Sequence, residues 1–319
     1  MATTPINGSD NFPTTENEFY TAVETLAVQN IREIKNTNRI EDGFYDYPVD
    51  GNGNVIEEAV IEMAAAKNFI NTGAPDLSPV DPKLHVKYFN NFVPKQFEAS
   101  TRKDDIRKIL SGVSKDSVES VSAKILSTLT EGEGNYDYEQ MRDVLNDGTV
   151  GKDAGKILWG GTTETPVHPL TIEGVVFALR DMYNAVKATN EIGTGLTGVK
   201  QSCPTVDIRV AVSEDLLNMI DVTQLAMIFN LTKQELFGKL VVIPKDSAWT
   251  AGRVCVYDRK AMGRATRVFD YTQDIIGKGR YMNSYLTAER AYFYNSLFKF
   301  FYLDCSVAES AKLATLIGA

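Results

Sequence analysis

The stretch Val206-Asp207-Ile208-Arg209-Val210-Ala211-Val212-Ser213 opens the part of the chain that must be a folded core, which runs on to Asp258. Apolar residues at 206, 208, 210 and 212 alternate with Asp207 and Arg209, the period-2 pattern of a half-buried strand. Ser213 follows, with Glu214 and Asp215 behind it. A hydroxyl at the N-cap and acids in the first turn satisfy exposed amides and complement the helix dipole. The pattern therefore predicts a short helix with Leu216, Leu217 and Ile220 turned to the core. Asp221 opens a second short helix through Phe229, and Thr232-Lys233-Gln234-Glu235 is a capping-box pattern for a third, stopped by Gly238. Leu240-Val241-Val242-Ile243 is a compact buried strand ended by Pro244, and Arg253-Val254-Cys255-Val256-Tyr257-Asp258 is another. This is a small α+β unit without catalytic equipment.

Working outward, the whole chain has 319 residues and is 43% hydrophobic, enough for one large domain or two smaller ones. No apolar run approaches the roughly 20 residues needed to cross a bilayer, and Met1-Ala2-Thr3-Thr4-Pro5 lacks the start of a signal peptide. Three widely spaced cysteines (Cys203, Cys255, Cys305) read as buried free thiols, not as a disulfide framework or a zinc site. The net charge of -9 is concentrated at one end: residues 1–66 hold 12 acids and 3 bases, and the remainder is neutral. Such a chain does not seek nucleic acid through its overall charge. The acidic end reads as a solvated arm, or as a surface for a basic partner.

Residues 1–17, rich in Thr, Asn, Ser and Pro, read as an extended arm. Phe19, Ala22, Val23, Leu26, Ala27, Ile31 and Ile34 then recur at helical spacing. Next, Asp50-Gly51-Asn52-Gly53-Asn54 separates Gly43–Val49 from Val55–Glu62, and the pattern predicts a β-hairpin joining those two segments. Asp50, Asn52 and Asn54 also resemble the start of a calcium loop, but Val55 stands where that loop needs Gly and Ile61 where it needs Glu. After a loop with three prolines (71–83), an extended segment from His85 to Phe97 carries Tyr88, Phe89, Phe92 and Phe97. Residues 43–97 are long and poor in helix signals; such a segment seldom makes a core alone and reads as an arm that packs on a neighbour.

Asp104–Ser111 is predicted as a short helix. Ser114 caps a longer one, striped by Val118, Val121, Ile125 and Leu129, spanning about 25 Å and ended by Gly132 and Gly134. Tyr136–Leu145 forms another. Thr171 begins the best amphipathic helix, with Ile172, Val175, Val176, Leu179, Tyr183 and Val186 on one face and Glu173, Arg180, Asp181, Asn184 and Lys187 on the other. It should pack on the strand at 206–212. Gly193-Thr194-Gly195-Leu196-Thr197-Gly198 is a literal G-x-G-x-x-G. A dinucleotide site needs a strand before it and a helix after it; here a helix precedes it and Cys203-Pro204 follows, so it reads as a loop. Beyond Asp258 the chain is extended through Val268, Phe269 and Tyr271, with a turn at Gly277-Lys278-Gly279. Residues 281–303 are crowded with aromatics. Helix and strand both fit; β-propensity favours paired long strands. Ser306 caps a small terminal helix.

Chemistry is conspicuous by what is missing. His85 and His168 are the only histidines, and neither lies in a nucleophile setting. There is no P-loop, H-E-x-x-H or C-x-x-C. No catalytic residue, cofactor or metal is expected, and the chain is not expected to be an enzyme.

The order of parts, together with particular stretches, carries a resemblance. Gly53-Asn54-Val55-Ile56-Glu57-Glu58 looks like the extended-loop strand of phage head proteins. Tyr88-Phe89 through Gln96-Phe97-Glu98-Ala99-Ser100-Thr101 looks like the return strand toward the spine helix. Leu236-Phe237-Gly238-Lys239-Leu240-Val241-Val242-Ile243-Pro244 is similar to the Leu-x-Gly-x-x-Val segment of the axial domain, and Val254–Met262 to the strand after it. The chain thus resembles the major capsid proteins of tailed bacteriophages, of the Hong Kong phage-type fold.

The resemblance implies an α+β fold with an amino-terminal arm (1–42), an extended β-hairpin loop (43–97), a peripheral domain with the spine helix (98–165), an axial domain (166–265) and returning peripheral strands with a carboxy-terminal helix (266–319). It implies a virion subunit, assembled in the host cytoplasm, that builds an icosahedral shell around DNA. The partners implied are other copies of itself in hexamers and pentamers, with scaffolding, portal or decoration proteins, packaged DNA without sequence-specific contacts, and no membrane. An encapsulin-like cargo shell or another oligomeric virion or binding protein is the alternative. Obligate interfaces often bury more than about 2,000 Å². The contacts expected to contribute are Phe44, Tyr45, Tyr47, Val55, Ile56, Tyr88, Phe89 and Phe92.

Overall fold

In a computed structural model of the chain, which describes residues 18, 21–22, 24, 39–49, 56–61, 83–102, 115–153, 172–191, 200–219, 239–250, 252–275 and 281–304, the segment Arg253–Asp258 is buried at all six positions. In chain order the elements are β1 (Tyr45–Asp46), after a 3-10 turn at Arg39–Gly43, β2 (Ile56–Ile61), β3 (Leu84–Phe89), β4 (Val93–Arg102), α1 (Lys115–Asn146), β5 (Lys152–Asp153) and α2 (Ile172–Lys187). Then come β6 (Asn190–Glu191), β7 (Lys200–Gln201), β8 (Ile208–Ser213), α3 (Glu214–Met219), β9 (Leu240–Ile243), β10 (Arg253–Asp258), β11 (Met262–Ile275), β12 (Tyr281–Tyr294) and β13 (Phe300–Asp304). The chain divides into two compact units. One comprises Met1–Asn38, Phe92–Asp137 and Thr266–Arg290, the other Arg39–Asn91, Tyr138–Ala265 and Ala291–Ala319.

The larger unit is built on a five-stranded sheet in the order β5-β13-β10-β8-β9. Register sorts its side chains onto two faces. Val254 lies across from Val212 and Leu303, and Val256 from Val210 and Phe301. These residues join Val175, Leu179, Met182 and Val186 of α2 in one core. Cys255 lies across from Ala211 and Tyr302, and on that face Val241, Ile243, Tyr257 and Phe300 meet Met141 and Leu145 of α1, Ile40, Phe44 and Trp249. The sheet is therefore covered on both sides. That is why β8 is buried at Ala211 as well as at its alternating valines, where a one-sided strand was expected, and why Val206, before its start, is 76% exposed. The Ser213 hydroxyl accepts from the Leu216 amide at 3.3 Å and starts α3 as expected. Lys299 is 2% exposed, and its ammonium donates to the carbonyls of Ala185, Val186 and Ala188 at the end of α2. Burial pulls its pKa down to about 8.

In the smaller unit β4 runs antiparallel to β12, from Tyr281↔Arg102 to Arg290↔Val93, with β11 on the far side of β12. Ile125, Leu126 and Leu129 of α1 are buried here. Glu133 and Asp137, one and two turns further on, both pair with Arg290.

Three sequence expectations are corrected. First, α1 does not stop at Gly132 and Gly134 to restart at Tyr136: it is one helix of 32 residues, about 48 Å long at 1.5 Å per residue. Each glycine costs roughly 1 kcal/mol against alanine, and the buried residues on either side of the pair outweigh that. Second, Gly43–Val49 does not pair with residues 55–62. β1 pairs parallel with the start of β11, while β2 pairs antiparallel with β3. Pairing with the 43–49 segment would have set the acids of β2 beside Asp46; pairing with β3 puts Glu58 across from Lys87 and Ile61 across from Leu84. Third, 281–303 is strand, as β-propensity favours, but its two strands do not pair with each other. A turn around Asn295, whose amide donates to the Ala261 carbonyl at 2.7 Å and whose side chain accepts from the Leu297 amide, sends β13 to β10.

Residues 21, 22 and 24, inside the expected amino-terminal helix, are helical, and so is residue 18 just before it. The calcium-like turn at 50–54, the helices at 104–111, 221–229 and 232–238, the loops at 159–163 and 193–198, the turn at 277–279, His168, Cys305 and the terminal helix lie outside the described residues. Cys203 and Cys255 are buried and free, as expected.

Candidate functional site

The β2–β3 hairpin has two unlike faces, fixed by its register. Residues directly opposite one another in an antiparallel pair share a face. Glu58 with Lys87, Val60 with His85 and Ile56 with Phe89 share one; Ala59 with Val86, Ile61 with Leu84 and Glu57 with Tyr88 share the other.

The first face is turned to the body of its own unit. Phe89 stacks on Phe293 with ring centroids 4.0 Å apart and planes 16° from parallel. Val60 packs against the core beneath. Glu58 is coupled to Lys260, although burial outweighs that cation and raises the carboxyl pKa. Lys260 itself lies 5.8 Å from the Tyr45 ring centroid and 5.7 Å from that of Phe298.

The second face points away, and Ala59, Ile61, Leu84, Val86 and Tyr88 make an apolar strip along it. Ile61 is 62%, Leu84 59% and Tyr88 65% exposed, with Ala59 exposed and Val86 half-buried between them. A single exposed leucine needs no explanation; a contiguous exposed aliphatic and aromatic strip makes this face the candidate contact surface.

The expected contact residues fall into different places. Phe44 (1% exposed) and Tyr47 (5%) are buried in their own subunit. The Tyr47 hydroxyl donates to the Lys260 carbonyl at 2.7 Å and accepts from the Asn295 side chain at 3.2 Å. Burial pushes its pKa upward, with the Asn295 hydrogen bond opposing. Tyr45 meets Tyr47 edge-on at 4.8 Å. The structure thus sets Tyr47 and Phe89 against Phe293, with Tyr45 beyond Tyr47. Ile56 is paired in register with Phe89, Val55 lies outside the described residues, and Tyr88 stands on the outer strip. Phe92 belongs to the other unit, where Arg267 lies over its ring at 5.2 Å. Ile61 and Leu84, which complete the exposed strip, were not among the expected contact residues. The available signal was the alternation Leu84, Val86, Tyr88 beside Ala59, Ile61, which the nearby aromatics overshadowed.

No group of acids, histidines and cysteines placed to hold a metal occurs among the described residues, and no described helix is long and apolar enough to cross a membrane.

A family model of Phi29-like phage major capsid proteins matches residues 3–303 of the chain. The chain belongs to this family. It is a phage major capsid protein: it forms the icosahedral shell of the virion, and its work is structural instead of catalytic. The family match selects the phage head over the cargo shell that the sequence resemblance left open. The fold agrees. A capsid chain of Staphylococcus phage Andhra is similar with a TM-score of 0.57 at 10% identity, covering 84% of both chains. A chain from the structure of the head fiber and inner core protein of native bacteriophage P68 is similar with a TM-score of 0.52, again at 10% identity and 84% coverage of both chains. This is the Hong Kong phage-type capsid fold. No curated protein sequence matches the chain.

Proposed function

We propose that the outer strip of the β2–β3 hairpin is a surface by which one capsid subunit holds the next. The observation behind this reading is the unlike character of the two faces: one is engaged with its own subunit, while the other exposes Ile61, Leu84 and Tyr88. A strip on one element fits a different surface on the neighbour, a heterologous contact that closes into hexameric and pentameric rings. In this reading 1–42 is the amino-terminal arm, 43–97 the extended loop, 98–165 and 266–319 the peripheral domain and 166–265 the axial domain. Scaffolding, portal and decoration proteins are the further partners, and assembly takes place in the host cytoplasm. Packaged DNA meets the wall without sequence-specific contacts, which a chain with net charge -9 supports.

Hydroxyl-radical footprinting of the free subunit and of the assembled shell tests the contact. Leu84 and Tyr88 should be oxidised readily in the subunit and protected in the shell. Equal oxidation in both would refute the role of the strip.

A further inference from the structure

We infer that Phe293 is the positioning residue that aims the assembly hairpin; this rests on the hairpin reading just given. A two-stranded hairpin has little stability or fixed direction of its own, so the direction of β2–β3 has to come from what its inner face touches. That face meets the body through Val60, through Glu58 beside Lys260, and through one stacked ring pair, Phe89 on Phe293 at 4.0 Å and 16°. Near-parallel planes at that spacing resist tilt as well as separation.

Phe293 is in turn held from behind. Its ring lies directly over Gly263 in β11, where a Cβ would overlap the ring; only glycine leaves the space. Gly263 stands at the start of β11, and a glycine within a strand marks a close approach. It is also the register partner of Tyr45. Tyr47 closes the other side of Phe293 at 5.3 Å and 45°, and its hydroxyl is fixed by the Lys260 carbonyl and the Asn295 side chain. Tyr45, Tyr47, Phe293 and Phe89 therefore form a continuous row of rings from β1 to the hairpin. A shell of uniform size requires each copy to present its contact surface within a narrow range of angles. This row sets the angle at which the strip is presented.

The test uses the full chain with spin labels at Leu84 and Asn184, both in the larger unit, and reads the distance distribution in the unassembled subunit, then the particles formed by the unlabelled variant. Phe293→Ala should broaden the distribution and abolish shells of uniform diameter without a loss of cooperative unfolding. Phe293→Tyr, which keeps the ring, should restore both, and Gly263→Ala should reproduce the defect by displacing the ring. If Phe293→Ala fails to fold, Phe89→Ala removes the stack from the hairpin side and should give the same broadening. An unchanged distribution in the folded variant overturns the aiming role. A broadened distribution with normal shells overturns the hairpin's part in assembly, and with it the use of the aim.

Discussion

Ile61 and Leu84 face each other across β2 and β3, and both are more than half exposed. A cross-strand aliphatic pair would ordinarily be buried against something, and in the free subunit this one meets water. Replacing either with glutamate should leave subunit stability within about 0.5 kcal/mol, as for most surface substitutions. The double variant Ile61→Glu, Leu84→Glu should stay unassembled where the native chain forms shells. Size-exclusion light scattering beside negative-stain microscopy reads this directly. Normal shells from the double variant would remove the strip from the assembly surface.

Arg290 pairs with both Glu133 and Asp137, whose side chains are 7% and 0% exposed. Removing the cation leaves two buried carboxylates facing one another. Arg290→Met should therefore cost about 3–5 kcal/mol in urea unfolding, the range for breaking a buried ion pair by one partner. Adding Glu133→Gln and Asp137→Asn should recover part of the loss. A single variant as stable as the native chain would mean that the cluster contributes nothing to holding α1 on the strands.

Gly132 interrupts α1 by composition but not by conformation. A Cβ there would meet the Phe97 ring at 3.6 Å, an ordinary contact. Gly132→Ala should raise stability by about 0.5–1 kcal/mol through helix propensity and a less flexible unfolded chain. A thermal melt that moves downward would show that α1 needs the glycine there.

Lys299 titrates near 8 in the fold because burial disfavours its charge, against an ordinary value of 10.5. Between those two values the unfolded chain holds the proton more tightly than the native one, so stability must rise with pH. The contribution is fully present above about 10.5 and is lost as pH falls through about 8. The stability of the native chain relative to Lys299→Met should climb across that window. A flat difference would place the ammonium in contact with water.

The larger unit's frame was legible because its signals are local. α2 and the strands β8, β9 and β10 carry apolar periods that match the cores they build. The Ser213 cap was legible for the same reason: the donor and acceptor lie three residues apart. The candidate surface was only half legible. Tyr88, expected as a contact, lies on the exposed strip, while Phe44 and Tyr47 are buried in their own subunit; an aromatic run looks alike in sequence whether it faces outward or its own core. Ile61 and Leu84 became a pair only once β2 was known to lie beside β3.

By itself the sequence determined the α+β class, the main strands and helix of the larger unit, the absence of recognisable catalytic motifs and the resemblance to a phage head protein, since all of these rest on short-range pattern and residue order. Tertiary structure alone decided that β2 pairs with β3, that α1 runs unbroken through Gly132 and Gly134, and that Phe293 fills the space Gly263 leaves. The physical reason is shared. Each depends on contacts between residues far apart in the chain, whose energies exceed the local preferences of turns and glycines.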